Sequence, residues 1–516
     1  MEYAIAVIDI GMTNKKVAVY DDALRQVHAV YRNFPPKIID GLETHDLQAM
    51  EDWFLSELAE AAKAYPVKAI AVTTHGATFV CTGEDGKPAV PCVYYTHEPG
   101  EAFHREFYEQ FGRPEELQAR TGTPNLMAMI NPAKGLFFAR RRYGDLFGKV
   151  RHVLPYPQYW GCRFTGKTGV EGTYMGCHSY LWDQVEGRLS SVALGLGLEG
   201  LIPDTLDKSW DILGTITGET AARTGLCPDT IVTMGIHDSN SSLLPHFAKK
   251  GETGFLLNST GTWCVSMNPV REYGFAPEEL GKVVFFNISA FGTPVKTSIF
   301  LGGQEFDIWS KILMNLHGRE DFPPYDRELY RLVLKEKRAF LLPELTPGTG
   351  QFPHSRPRVV EDGKEYSFAE ISAAGGPGAL KGKPGAGRGL PGGLPPCFAN
   401  YEKAFAALRI SLVMQSLTAL ERTGLVSGAE VYTEGGFRKN DAYNALLSGA
   451  LKNNRVFLTN IAEATALGAA MTAKTALTGK GPADLARDFD VEYREVPKAE
   501  TSELFPYREA WLTYTE

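Results

Sequence analysis

Ala4-Ile5-Ala6-Val7-Ile8-Asp9-Ile10, then Gly11-Met12-Thr13-Asn14, then Lys16-Val17-Ala18-Val19-Tyr20 is the stretch on which the fold turns. Two β-branched runs read as strands, and the glycine-polar break between them reads as a turn, so the chain opens with a hairpin. Outward from it, Leu47, Met50, Phe54, Leu58 and Ala61 step by three and four, which predicts a helix over Asp46–Tyr65 with Asp46 as its N-cap. A buried strand, Val67–Thr73, follows. This alternation places the chain in the α/β class.

A second hairpin of the same kind runs from Gly254 to Ser259, turns at Thr260-Gly261-Thr262 and returns through Trp263–Met267. One such unit in each half suggests a duplicated lobe, although Gly-Thr turns are common. The apolar pattern breaks at Pro245–Gly251, where a hinge is expected. Later, Tyr401–Arg422, Asn440–Leu451 and Ala462–Leu477 read as helices, and Glu430–Thr433 and Arg455–Leu458 as strands. Ala373–Pro396 is dense in glycine and proline and carries Lys381, Lys383 and Arg388 without an acid, so it is expected to be a loop. The tail beyond Gly481 reads as a peripheral extension.

Composition narrows the function. At 516 residues the chain exceeds a usual single core, so two large domains are expected. A net charge of −8 argues against a general binder of nucleic acid or anionic membrane. No apolar run reaches the roughly 18 residues of a membrane span, and the N-terminus lacks a basic leader. Seven scattered cysteines without a C-x-x-C pair form neither a zinc framework nor a disulfide scaffold, which points to a reducing cytoplasm.

Four places concentrate polar groups. Asp9 closes an apolar strand, where a carboxylate suits a hydrated Mg²⁺; Gly11, Thr13, Asn14 and Lys15 then offer close backbone approach, donors and positive charge to a phosphate. A plain capped hairpin turn fits the same residues. Thr260, Gly261 and Thr262 crowd hydroxyls and amides into a turn that suits phosphate or is simply polar. Gly435 and Gly436 follow a strand, with Asn440 beyond them and Asn444 one helical turn further. Asp238, after Met234-Gly235-Ile236-His237, stands at a predicted helix N-terminus, which favours its ionised form, as a general base requires. An N-cap without chemistry is the alternative.

Taken in order, Asp9-Ile-Gly-Met-Thr13, Gly-Ile-His-Asp238, Ser-Thr-Gly-Thr-Trp263, Glu-Gly-Gly436-Phe-Arg-Lys-Asn440 and Ala462-Glu-Ala-Thr-Ala-Leu-Gly-Ala-Ala470 resemble the FGGY carbohydrate kinases from the first strand to about residue 475. The His-Asp pair and the Thr-Gly-Thr-Trp turn are most similar to the rhamnulokinase and fuculokinase branch. The resemblance implies two ribonuclease-H-like lobes of the actin/hexokinase superfamily with the active site in a cleft between them. It implies a sugar-binding lobe over 1–247, an ATP-binding lobe over 248–480 and a terminal extension over 481–516. Matched residue by residue, Asp238 is the base and Asp9 the acid near Mg²⁺. Gly11, Thr13 and Lys15 form the first phosphate loop, and Thr260, Gly261 and Thr262 the second. Gly435, Gly436 and Asn440 form the adenosine motif, and His237 contacts sugar. The implied partners are ATP and a ketose or polyol, of the L-fuculose, L-rhamnulose or pentulose kind, phosphorylated at a primary hydroxyl. Neither nucleic acid nor membrane is expected, and a homodimer is left open.

Departures fall on the sugar side. His75 and Thr78 stand where the branch carries Trp and Asp, Tyr94–Pro99 lacks the familiar arginine, and Pro157-Gln158-Tyr159 replaces an Asp-Tyr pair. His75, His97 and His237 follow predicted strands and His178 lies in Gly176–Tyr180, so all four are expected at the sugar. Four imidazoles also permit zinc; that reading is set aside, since no pair has helical spacing and the phosphate loops already supply a mechanism. A nucleotide-binding sugar sensor or a pseudokinase of the same superfold is the rival, and the presence of both Asp9 and Asp238 disfavours it.

Overall fold

The opening hairpin forms as its pattern dictates. In the computed structural model, which describes residues 1–375, 392–461, 463–500 and 502–515, Ala4–Ile10 pairs antiparallel with Asn14–Asp21. The chain divides into two compact units: Met1–Gly254 with Pro269–Lys296 and Ile461–Val491, and Phe255–Asn268 with Thr297–Asn460 and Glu492–Glu516.

In the first unit the strands lie in the order Gln26–Asn33, Asn14–Asp21, Ala4–Ile10, Val67–Thr74, Ile231–Thr233, Ile212–Thr215, with Ile236–His237 also against Val67–Thr74. Three antiparallel strands followed by two parallel to the first is the ribonuclease-H-like order, and Ile212–Thr215 adds an antiparallel edge strand. The Leu47–Ala64 helix starts where expected, Asp46 Oδ1 accepting the Ala49 amide at 3.3 Å. Its apolar face, including Phe54 and Leu58, joins Ile8, Ile70, Val72 and Trp160 in one core. Ala464–Thr478 packs against the same sheet.

The second unit repeats the order: Pro294–Phe300, Cys264–Pro269, Phe255–Thr260, Glu430–Gly435, Arg455–Thr459, with Tyr493–Glu495 beyond. The expected duplication is therefore present in both sheets. Asn400 caps Tyr401–Arg422, its Oδ1 accepting the Lys403 amide at 2.7 Å. That helix alone among the described residues is long and apolar enough to cross a membrane, and it is buried in this unit's core.

Three expectations are corrected. The hinge at Pro245–Gly251 is instead the end of a helix, Asp238–Lys250, which tolerates Pro245 inside it; the chain passes between units at Gly254 and Phe255. Asn240 through Phe247 are all buried, so this part of the helix is enclosed on every side, and only Ala248–Lys250 at its end are more open. Ala373–Gly375 ends a helix, Phe368–Gly375, and the rest of the basic glycine-rich stretch, 376–391, lies outside the described residues. The tail is not peripheral. Leu504, Tyr507 and Trp511 are fully buried in the second unit, with Tyr507 Oη donating to the Ala339 carbonyl at 2.6 Å and Trp511 Nε1 to that of Leu341 at 2.8 Å.

Candidate active site

Parallel pairing brings three strand ends of the first unit level with one another. Asp9 is in register with Thr73, and Ile236 and His237 with Thr73 and Thr74, so Asp9, His75 and Asp238 all emerge at the carboxyl edge. That edge is where α/β sheets gather ligand groups.

Asp238 opens its helix. Its Oδ1 accepts the Ser239 amide at 2.6 Å and lies 3.2 Å from His237 Nε2. Burial, then the nearby Asp9 charge, push the carboxyl up to about 7. With 29% of the side chain still open, water offsets part of that burial. A carboxyl held near neutrality exchanges protons readily at working pH.

His237 is positioned from behind. Its amide donates to Thr173 Oγ1 at 3.0 Å, and that hydroxyl donates to Glu171 Oε1 at 2.8 Å. Glu171 also accepts the Thr173 and Tyr174 amides and the Ser209 hydroxyl, and burial pushes it up to about 7. Sequence reasoning missed Glu171, because an acid capping a four-residue helix has no spacing signal.

The imidazoles meet around Gly76. His75 Nδ1 lies 2.7 Å from the Gly76 carbonyl, which makes it the donor and leaves the lone pair on Nε2, an atom with no partner among the described residues. Burial drops His75 and His178 to about 4 and His237 well below its usual value, so all three are neutral at pH 7. His178 adopts φ 39°, rare for a non-glycine residue, and its ring stands edge-on to His237 at 6.4 Å. Thr78 is pinned by Tyr174, whose hydroxyl donates to the Thr78 carbonyl at 2.7 Å, while Thr78 Oγ1 is buried without a partner. Thr78, Tyr95, Met129 and Phe138 line a cavity of about 40 Å³. His97 is half-buried and packs edge-on against Phe138, outside the imidazole group. Gln158, at the Asp-Tyr departure, donates to the Met234 carbonyl at 2.7 Å.

Asp9 is more engaged than its sequence suggests. Oδ2 accepts Thr465 Oγ1 at 2.8 Å and lies 3.1 Å from Lys16 Nζ, which in turn lies 2.6 Å from Glu463 Oε2. Oδ1 has no hydrogen bond among the described residues. One engaged and one open carboxylate oxygen suit a water-mediated Mg²⁺. Strand alternation sends Lys15 the other way, where its Nζ donates to the Met12 carbonyl at 2.8 Å and burial drops it to about 8. Thr13 and Asn14 are exposed on the turn, with Gly11 beside them. Lys16, Glu463 and Thr465 were not singled out by sequence, though the last two sit inside the quoted Ala462–Ala470 motif.

Of the residues expected at the nucleotide, Thr260, Gly261, Thr262, Gly435, Gly436 and Asn440 lie in the second unit. Thr260 is in register with Gly435, and its Oγ1 donates to the Glu434 carbonyl and accepts the Phe437 amide at 3.0 Å. Gly435 has φ 76° and ψ −151°, and a Cβ there would stand 2.1 Å from the Thr260 carbonyl oxygen, so only glycine fits. Gly261 and Thr262 are exposed at the turn, and Gly303, at the start of the Gly302–His317 helix, packs so tightly on Gly261 that a Cβ would sit 1.9 Å from its carbonyl oxygen. Gly436 opens the next turn. Asn440 caps Asp441–Ala450 through its Oδ1, leaving Nδ2 without a partner. Asn444 is instead committed to the Phe437, Arg438 and Asn440 carbonyls.

Residues 4–245 match the model for the FGGY family of carbohydrate kinases, N-terminal domain, and residues 252–375 match that for the carbohydrate kinase FGGY C-terminal domain. The chain belongs to the FGGY family. A curated relative, a rhamnulokinase of Halalkalibacterium halodurans, is 25% identical over 274 residues, which is 51% of this chain and 55% of that protein; the match thus spans about half the relative's length. A carbohydrate kinase from Novosphingobium aromaticivorans shares 26% identity at a TM-score of 0.78, over 99% of this chain and 98% of that one. Gluconate kinase from Lactobacillus acidophilus has the same fold, with 15% identity, a TM-score of 0.78, and coverage of 99% and 96%. The FGGY fold thus accounts for both the duplicated sheets and the placement of the motifs.

Proposed function

We propose that the protein is an ATP-dependent carbohydrate kinase that moves the γ-phosphoryl group to a primary hydroxyl of a ketose or polyol. The observation that carries this reading is the Asp238 carboxyl, held near neutrality between His237 and Asp9 at the carboxyl edge of the first sheet. The sugar hydroxyl gives its proton to Asp238 as its oxygen attacks the γ-phosphorus. His75, His178 and His237, all neutral, hold other hydroxyls as donors or acceptors without adding charge. Thr260, Gly261, Thr262, Gly435, Gly436 and Asn440 bind the nucleotide. Asp9, fixed by Lys16, would hold magnesium, which would supply charge neutralisation at the phosphates. Positioning and electrostatics supply most of the rate in phosphoryl transfer.

All seven cysteines are unpaired thiols and only Cys227 is exposed, which supports action in a reducing cytoplasm. The test is a panel of ketoses and polyols with ATP and Mg²⁺, read by coupled ADP release and product phosphate position. At least one should raise ADP release well above the ATP-only rate. A panel without any acceptor-dependent release defeats the proposal.

A further inference from the structure

The imidazole group includes a thiol. Ligand atoms of Cys177, His178 and His237 all lie within 4.8 Å of one another, and all three residues are buried. His237 Nε2 is 3.6 Å from Cys177 Sγ and 3.2 Å from Asp238 Oδ1. Around a tetrahedral zinc, with bonds of about 2.0–2.3 Å, neighbouring donors sit about 3.3–3.7 Å apart. A Cβ on Gly76 would come within 2.9 Å of His237 Nε2 and 3.1 Å of His178 Nε2, so the glycine keeps open the space both nitrogens face. Zinc looked excluded because no pair of ligands has helical spacing; here the neighbours Cys177 and His178 meet His237 from a separate strand.

The geometry points to a binding site for one soft divalent cation of the Zn²⁺ class, with Cys177, His178 and His237 as ligands. Nitrogen and sulfur donors select such ions over Mg²⁺. On binding, the Cys177 thiol proton leaves to solvent and a metal–sulfur bond forms, with no change of oxidation state. His237 must then present its Nε2 lone pair. Asn240 permits this: its Nδ2 makes only long contacts, 3.4 Å to His237 Nδ1 and 3.4 Å to the Thr173 carbonyl, while its Oδ1 is buried without a partner. Rotating the amide lets Oδ1 accept Nδ1–H, the outer hydrogen bond that metal-bound histidines make. Resting on the kinase reading, the ion would occupy two of the sugar's imidazoles beside the base, Asp238 Oδ1 lying 3.2 Å from His237 Nε2, making it an inhibitor competitive with sugar.

The test is spectroscopic and independent of turnover. Metal-free protein is titrated with Co²⁺, then with Zn²⁺. One Co²⁺ per chain is expected, with the visible bands of a tetrahedral site and a thiolate-to-cobalt charge-transfer band that Zn²⁺ abolishes. Cys177→Ser should remove the charge-transfer band, and His178→Asn should weaken binding roughly tenfold or more. Cys227→Ser, at the exposed thiol, should keep both. A wild-type protein without stoichiometric Co²⁺ binding, or an unchanged spectrum in Cys177→Ser, overturns the inference. The kinase reading is untouched by either result, just as a failed sugar panel leaves this one standing.

Discussion

Lys16 bridges Asp9 and Glu463, its Nζ 3.1 Å from the first carboxylate and 2.6 Å from the second. Asp9 and Lys16 are cross-strand partners in the opening hairpin, so the ammonium is fixed by backbone register. Removing it leaves two carboxylates facing each other. Lys16→Met should destabilise the protein by about 1–3 kcal/mol, less than a fully buried pair because Glu463 is partly open. It should also raise the Mg²⁺ concentration needed for half-maximal activity. Thermal melts and Mg²⁺ titrations check this; unchanged values in both would mean that the bridge is incidental.

Asp238→Asn removes the proposed base while keeping shape and hydrogen-bonding oxygen. Turnover should fall about 10²–10⁴-fold. Sugar and ATP should still bind, as read by calorimetry. Wild-type turnover under conditions where chemistry limits the rate would reassign the base.

The pH profile follows from the same carboxyl. Asp238 must be ionised to act, and it is pushed up to about 7, so kcat/KM should fall as pH drops below about 7 and level off above it. Asp9 raises that carboxyl, so Asp9→Asn should move the limb of the remaining activity to lower pH. A wild-type limb at the ordinary carboxylate value of about 4 would contradict the burial argument.

Gly435→Ala tests the nucleotide turn. The added methyl meets the Thr260 carbonyl oxygen at 2.1 Å, in a backbone conformation that side chains avoid. Together these should cost at least about 1–3 kcal/mol of stability. The ATP KM should rise more than the sugar KM. Differential scanning calorimetry and initial-rate kinetics separate the two effects.

On the sugar side, His75→Ala should raise the sugar KM much more than the ATP KM, because it deletes an unpartnered Nε2 at the carboxyl edge. With Thr78 in place of a carboxylate, L-rhamnulose should be a poor substrate beside some other ketose or polyol; a site built for one hydroxyl pattern rejects others by up to roughly 10⁴–10⁵-fold. Efficient L-rhamnulose turnover would defeat that reading.

Much of this was legible in the sequence, for identifiable reasons. Strands and helices with strong periodicity, such as Ala4–Ile10, Leu47–Ala64 and Tyr401–Arg422, came out within a residue or two. Residues in short motifs, including Asp9, His237, Asp238 and Gly435, stand out in the sequence, and the structure places each at the end of a strand. What local pattern does not encode is which distant side chain completes a site. Glu463 reaches Lys16 across 447 positions, and Glu171 holds Thr173 against His237 across more than sixty. Lys15 and Lys16 follow the same turn, and only strand register decides which of the two neighbours faces Asp9. Pro245–Gly251 reads as a hinge because its apolar pattern lapses, yet the helix continues to Lys250, and the buried Leu243, Leu244 and Phe247 outweigh the hydrogen bond lost at Pro245.

The packing of Trp511 and Tyr507 bears on how the protein is made. The second core includes side chains from Leu256 to Trp511, and the first unit takes its last helix and turn from 461–491. During synthesis, therefore, the second core closes only after the ribosome has passed this late segment, whereas the side chains of the first core all lie between Ala4 and Val232. Apolar strands such as Phe255–Thr260 must wait on the nascent chain, exposed, while about 250 further residues, through Trp511, are added. At ordinary elongation rates of about 5–20 residues per second that interval lasts on the order of ten seconds or more, long enough to make chaperone protection part of the protein's biogenesis.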